Sequence, residues 1–127
     1  MATVDDLLTE MSSTDLLLAL IMAKPGEVYF KESELEDSIR KATAQYPSLG
    51  KFFYGHCDGT PEHGNVFDDA LAWGLTWGQL TFTGDFQHTY LRNSWRPHVD
   101  ERLKERYGAD YSARLAEVVE RVWAPSS

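Results

Sequence analysis

The side chains best suited to chemistry gather in one short stretch, where His56, Cys57, Asp58 and His63 fall within eight residues of a Gly-rich segment. A thiol beside an imidazole is the raw material of a cysteine nucleophile, but the base must come within hydrogen-bond reach, and adjacency in sequence does not supply that. The same residues read as a metal site offer one Cys and two His with no clear fourth ligand, short of the usual tetrahedral set. A loop with a buried thiol and solvated or structural histidines explains them more simply. No catalytic residue, cofactor-binding residue or metal ligand is therefore assigned, and the sequence favours a non-catalytic role. A small Cys-dependent enzyme using the Cys57 loop is the weaker alternative.

The carboxylates follow the same logic. Asp68 and Asp69 are neighbours in sequence, which places them on different helix faces instead of across a substrate from one another. Helix capping and solvation account for them, as for Glu34, Glu36 and Asp37 near the start of another helix. Glu101 and Glu105 are four apart but interleaved with Arg102 and Lys104, the pattern of an exposed charged face. The chain has no GxGxxG, P-loop, HExxH, CxxC or GxSxG signature, so nucleotide binding and the common hydrolytic chemistries have no motif behind them.

One further set of residues suits contact rather than catalysis. Trp73 and Trp77 lie one helical turn apart on a segment without Lys or Arg. Aromatic pairs at this spacing are more often internal, so the balance favours packing. The alternative is a partner-contact surface formed by Asp68, Asp69, Trp73 and Trp77, since large aromatics contribute strongly when desolvated at an interface.

Charge narrows the choice of partner. Across 127 residues the net charge is -8, and residues 1 to 72 carry 13 acidic against 5 basic side chains while the remainder carries 7 of each. Such a surface repels nucleic acid and anionic membranes and suits a basic or nucleic-acid-binding protein. The one local basic enrichment is Arg92, Arg96, Arg102, Lys104 and Arg106, interrupted by Asp100, Glu101 and Glu105. A single cysteine excludes an intrachain disulfide. With no secretory pattern or membrane-length apolar run, the expected location is the cytoplasm, without membrane contact.

The elements that must position these residues can be read from periodicity. A short helix is expected over Thr3–Met11, with Thr3 and Asp6 in capping-box spacing. A second, capped by Ser12 or Ser13, is nearly all-round apolar through Leu16, Leu17, Leu18, Leu20 and Ile21, which predicts a central buried position. Lys24-Pro25-Gly26 ends it. A short strand at Val28–Phe30 precedes a helix from Ser33 with Leu35, Ile39 and Ala42 inward, stopped at Tyr46-Pro47. A short helix near Leu49–Tyr54 opens the irregular stretch.

Asn65 can cap the next helix, whose Phe67, Leu71 and Leu75 form a seam. Gly74 inside it implies either a close helix crossing or an earlier helix end. Leu80 and Phe82 then alternate with threonines, Gly84-Asp85 reads as a two-residue turn with glycine at positive φ, and a return strand runs to Leu91. Pro97–Tyr107, stopped by Gly108, and a final helix starting at Asp110 or Ser112, with Pro125 beyond it, complete the chain.

This order predicts a mainly α fold with a small β-hairpin: a winged-helix-like single domain over 1–127, with flanking helices that pack on the core or mediate dimerisation. A DNA-reading helix should present Arg, Lys, Asn or Gln to base edges, and here it reads DDALAWGLTWGQ. The leading expectation is thus a non-catalytic protein-interaction or regulatory module with an acidic and aromatic surface, of the inhibitor or antitoxin kind. Its partner would be another protein, with a homodimer as a further alternative. A winged-helix DNA-binding regulator ranks second, with Arg92, Arg96, Arg102 and Arg106 as its positive anchors.

Overall fold

The computed structural model describes residues 4–54, 66–85 and 87–124; the Cys57 loop, with His56 and His63, and the expected caps Thr3 and Asn65 lie outside them, as does Pro125. Helix α1 (Val4–Glu10) leads into α2 (Ser13–Met22), where the Ser12 hydroxyl accepts the Asp15 amide at 3.1 Å. Every residue of α2 from Asp15 to Ile21 is buried. An apolar ring of this kind has no solvent face to offer, so the other elements pack around it.

Helix α3 (Glu32–Ala42) follows, with Leu35, Ile39 and Ala42 buried as their spacing requires. The expected strand at Val28–Phe30 contracts to a single bridge: Phe30 and Thr89 exchange amide-to-carbonyl bonds of 2.9 and 2.8 Å. Val28 and Tyr29, before the bridge, stay unpaired, and α3 opens at Glu32 just after it. A 3₁₀ turn (Pro47–Gly50) and the short α4 (Lys51–Tyr54) occupy the region expected to hold a short helix. The Lys51 ammonium donates to the Leu8 and Met11 carbonyls, capping the end of α1 with a side chain from a distant segment.

Helix α5 (Val66–Thr76) buries Phe67, Ala70, Leu71 and Gly74, a stripe at i, i+3, i+4 and i+7. Leu75, expected in the seam, is only partly buried. Gly78, at φ 77°, then closes α5: its own amide bonds to Leu75 at 3.2 Å and the Gln79 amide reaches back to Gly74 at 3.0 Å. The hairpin comprises β1 (Leu80–Phe82) and β2 (Thr89–Leu91), antiparallel with Leu80 opposite Leu91.

Phe30 borders β2 on its other edge, so α2, Phe30, α3, α5, β1 and β2 run in the order of a winged helix. The fold is mainly helical with a small antiparallel hairpin, and it is winged-helix-like. Helices α6 (Arg96–Tyr107) and α7 (Tyr111–Val122) flank this unit, α6 ending at Gly108 with φ 103°.

The hairpin tip differs from the two-residue turn expected at Gly84-Asp85. The Thr83 amide bonds to the His88 carbonyl at 2.9 Å, so the loop runs from Gly84 to Gln87, and Gly84 does not take a positive φ. The Asp85 carboxylate shapes this longer loop by accepting from the Thr83 hydroxyl at 2.5 Å and the Gln87 amide at 3.1 Å. A side chain able to mimic a backbone turn removes the need for glycine there.

Gly74 is explained by a strand and not by a helix crossing. A Cβ at this position would lie 2.6 Å from Leu80 Cδ1 and 2.8 Å from Leu80 Cγ. Alanine would favour the helix by about 1 kcal/mol, but Leu80 is buried, and overpacking costs about 1–3 kcal/mol. Gly74→Ala is therefore expected to lower stability by about 1 kcal/mol net. Urea unfolding that showed a gain would mean that Leu80 yields freely.

The α6–α7 corner contains a pH-dependent contact. The Tyr111 hydroxyl donates to Asp100 at 2.7 Å, and Lys104 lies 3.0 Å from the same carboxylate. These two hold the Asp100 carboxyl below its ordinary range, the tyrosine more than the lysine, while burial and the acceptance of its proton by Asp100 push the Tyr111 phenol up. A depressed carboxyl stabilises the fold above its unfolded value and loses that contribution as pH falls through the folded one. Asp100 is 38% exposed in its side chain, so solvent screening keeps the effect small. Tyr111→Phe is expected to cost about 1 kcal/mol at neutral pH and progressively less as Asp100 is protonated. Chemical unfolding across pH 7 to 2 checks this, since a pH-independent loss would assign the cost to packing.

Candidate functional site

Asp69, Trp73 and Trp77 recur every four residues of sequence and form one stripe along α5 and its C-terminal turn. The helical rotation places Trp73 roughly 110° from the centre of the buried stripe. Trp73 and Trp77 are accordingly 54% and 64% exposed. Their rings stack in parallel, with centroids 6.0 Å apart and planes 5° from coplanar. Asp68 and Asp69 are exposed on the same helix. The expectation that favoured internal packing for the tryptophans is thus overturned: Phe67, Ala70, Leu71 and Gly74 already fill the α5 side of the core, leaving no inward position one turn along.

The basic cluster after the hairpin is largely engaged within the chain. Arg96 donates to the Met22 carbonyl at 3.1 Å, closing the end of α2, and Lys104 pairs with Asp100. Arg102 and Arg106 reach Asp15 at 3.3 and 2.8 Å, and the Tyr107 hydroxyl donates to the same carboxylate at 2.7 Å. Asp15 is 1% exposed. Its carboxylate holds the Arg106 guanidinium above the ordinary range and, after burial, also raises the Tyr107 phenol. Of the five basic residues, Arg92 has no side-chain partner among the described residues.

Sequence reasoning placed Asp15 in a helical first turn and missed its role as the junction between α2 and α6. The available signal was an acid at the head of an otherwise apolar ring, with Arg102 and Arg106 four residues apart on a later helix. A buried carboxylate needs such partners to offset its desolvation.

No protein-family model, curated protein or solved structure matches this chain. The residues themselves must carry the reading. Among the described residues, no group of three or more His, Cys, Asp or Glu is placed to hold a metal ion. No helix among them is long and apolar enough to cross a membrane. A cleft of about 470 Å³ beside Phe30, α3 and the end of α7 mixes Lys24, Lys31 and Lys41 with Glu27, Glu34 and Asp37. Lys24 is already committed there, 5.4 Å over the Trp123 ring and 2.6 Å from the Glu27 carbonyl. The mixed signs leave the cleft without a charge preference. The outward face of α5 is the more distinctive feature, because it exposes two large aromatics side by side where solvation of apolar surface is costly.

Proposed function

We propose that this protein is a non-catalytic interaction module in a regulatory role of the inhibitor or antitoxin kind, with Asp68, Asp69, Trp73 and Trp77 as contact residues on α5 and its C-terminal turn. The observation that carries this reading is the exposed, stacked Trp73–Trp77 pair, on the helix where a winged-helix protein carries its base-reading side chains. Asp68 and Asp69 would repel phosphate, whereas exposed indoles are strong anchors for a protein surface. The acidic excess in residues 1 to 72 adds a long-range preference for basic macromolecules and would allow competition with nucleic acid for a basic groove.

A photo-crosslinking amino acid at Thr76, on the exposed side of α5, tests this in the cells that make the protein, with the exposed Ser112 of α7 as control. The expected result is a discrete protein adduct from position 76 that disappears with Trp73→Ala and Trp77→Ala. Adducts equal at both positions, or none at position 76, would overturn the reading. A DNA-binding regulator is the second reading, supported by the winged-helix order and by Arg92, which has no side-chain partner among the described residues. Salt-dependent retardation of duplex DNA, weakened by Arg92→Ala, would put it first.

A further inference from the structure

We infer that the cleft on the outward face of the hairpin is a binding site for an alkylated ammonium group, walled by Tyr29 and Tyr90 with Asp85 as its counter-charge. The site uses none of the α5 contact residues.

Strand alternation builds it. Thr89 and Leu91 of β2 are buried, as is Phe30 at the bridge, so the side chains between and beside them, Tyr90, His88 and Tyr29, turn to the opposite face. There the two tyrosines meet edge to face, with ring centroids 5.7 Å apart and planes at 88°. Tyr29 remains 46% exposed. Together with Thr83, Asp85, His88 and Asn93 the pair lines one open cleft of about 660 Å³. Among the described residues no Lys or Arg lines it.

The chemistry of these walls selects a guest that is both positive and partly apolar. Each tyrosine offers the negative face of its ring quadrupole, and two rings at a right angle form adjoining walls of the kind that cage quaternary ammonium and methylated lysine. Asp85 supplies the formal charge. Its Oδ1 accepts from the Thr83 hydroxyl and the Gln87 amide, while Oδ2 accepts no hydrogen bond among the described residues. Those two bonds, the hydroxyl's first, hold the Asp85 carboxyl below its ordinary range. The cleft therefore contains a carboxylate that is ionised at neutral pH, fixed in place and left with one oxygen to spare.

Other classes of guest fit less well. An anion would meet this carboxylate and a chain of net charge -8, both of which repel it. A neutral guest gains nothing from Asp85. A small inorganic cation such as sodium holds its water too tightly to exchange it for aromatic faces, whereas an alkylated ammonium spreads its charge over methyl groups that pack on the rings.

NMR titration of the isotope-labelled full chain with tetramethylammonium chloride, at constant ionic strength, tests the site. Saturable shifts are expected at the amides of Thr83, Asp85, His88 and Tyr90, with a dissociation constant on the order of 1–10 mM. Choline should give the same pattern, and the neutral alcohol in which carbon replaces its nitrogen should bind about fivefold more weakly or worse. Tyr29→Leu and Tyr90→Leu should each weaken binding about two- to fivefold, and the two together about tenfold. Tyr29→Phe with Tyr90→Phe keeps the ring faces and should stay within about twofold of the unaltered protein. Asp85→Asn removes the charge but keeps an Oδ1 acceptor for the loop, and should weaken binding about threefold. Thermal unfolding identifies the folded variants; the phenylalanine pair and Asp85→Asn preserve the test if leucine at position 90 disturbs the hairpin.

A peptide carrying a single trimethyllysine reads the source of the cation. Tighter binding than choline places the group on a protein partner, and equal or weaker binding makes a small quaternary ammonium compound the ligand. No saturable shift up to about 50 mM, an equal response to the neutral alcohol, or shifts confined to the Trp73 and Trp77 indoles would overturn the inference.

Discussion

Replacing Arg102 and Arg106 together by alanine is expected to destabilise the protein by about 3 kcal/mol or more, because Asp15 would be left ionised and buried without a cationic partner. Asp15 is 1% exposed, whereas the two arginine side chains are 45% and 51% exposed. The two directions of disruption are therefore unequal. Asp15→Asn releases both arginines to water and keeps an acceptor for the Tyr107 hydroxyl, so its cost should be only about 1–2 kcal/mol. Either arginine alone should cost less than half of the double substitution, since the other still faces the carboxylate. Residual support from the α2 amides and Tyr107 keeps the double loss at the lower end of the range for broken buried pairs. Adding Asp15→Asn to the double arginine variant should then recover stability, an outcome that only removal of a stranded charge predicts. Urea unfolding of the wild type, Asp15→Asn, the double arginine variant and the triple variant reads the cycle, and simple additivity would sink this account of the network.

What was legible in the chain follows from which forces are local. The burial of Leu16 to Ile21 and of Leu35, Ile39 and Ala42 follows from apolar periodicity, because each helix must turn that face toward other apolar surface. The Ser12 cap and the stop at Gly108 are similarly short-range. The hairpin tip was not legible, because Gly84-Asp85 has a favourable two-residue turn available but the Asp85 carboxylate stabilises a longer loop instead. Asp15 could not be distinguished from an ordinary first-turn acid without its partners, which lie 87 and 91 residues away in sequence. The tryptophans were misjudged for a different reason. An aromatic stripe reports a surface that will be buried in something, and periodicity does not say whether the covering surface belongs to the same chain.

That distinction makes α5 the site of the second large effect. Phe67→Ala is expected to cost about 3–5 kcal/mol, whereas Trp73→Ala, six residues along the same helix, should change the stability of dilute protein by no more than about 0.5 kcal/mol. Phe67 is 1% exposed and meets Phe52 edge-to-face at 6.1 Å, so its loss opens a cavity between α4 and α5 as well as removing a favourable ring contact. Trp73 is more than half exposed, and truncation mainly returns indole surface to nothing that the core depends on. Calorimetric or urea unfolding of dilute protein checks both, because any association through Trp73 would couple it to apparent stability by mass action. Phe67→Ala should be destabilising at every concentration, while Trp73→Ala should stay close to neutral in dilute protein. A large, concentration-independent loss at Trp73 would place its indole in the structural core and remove the physical basis for a docking face on α5.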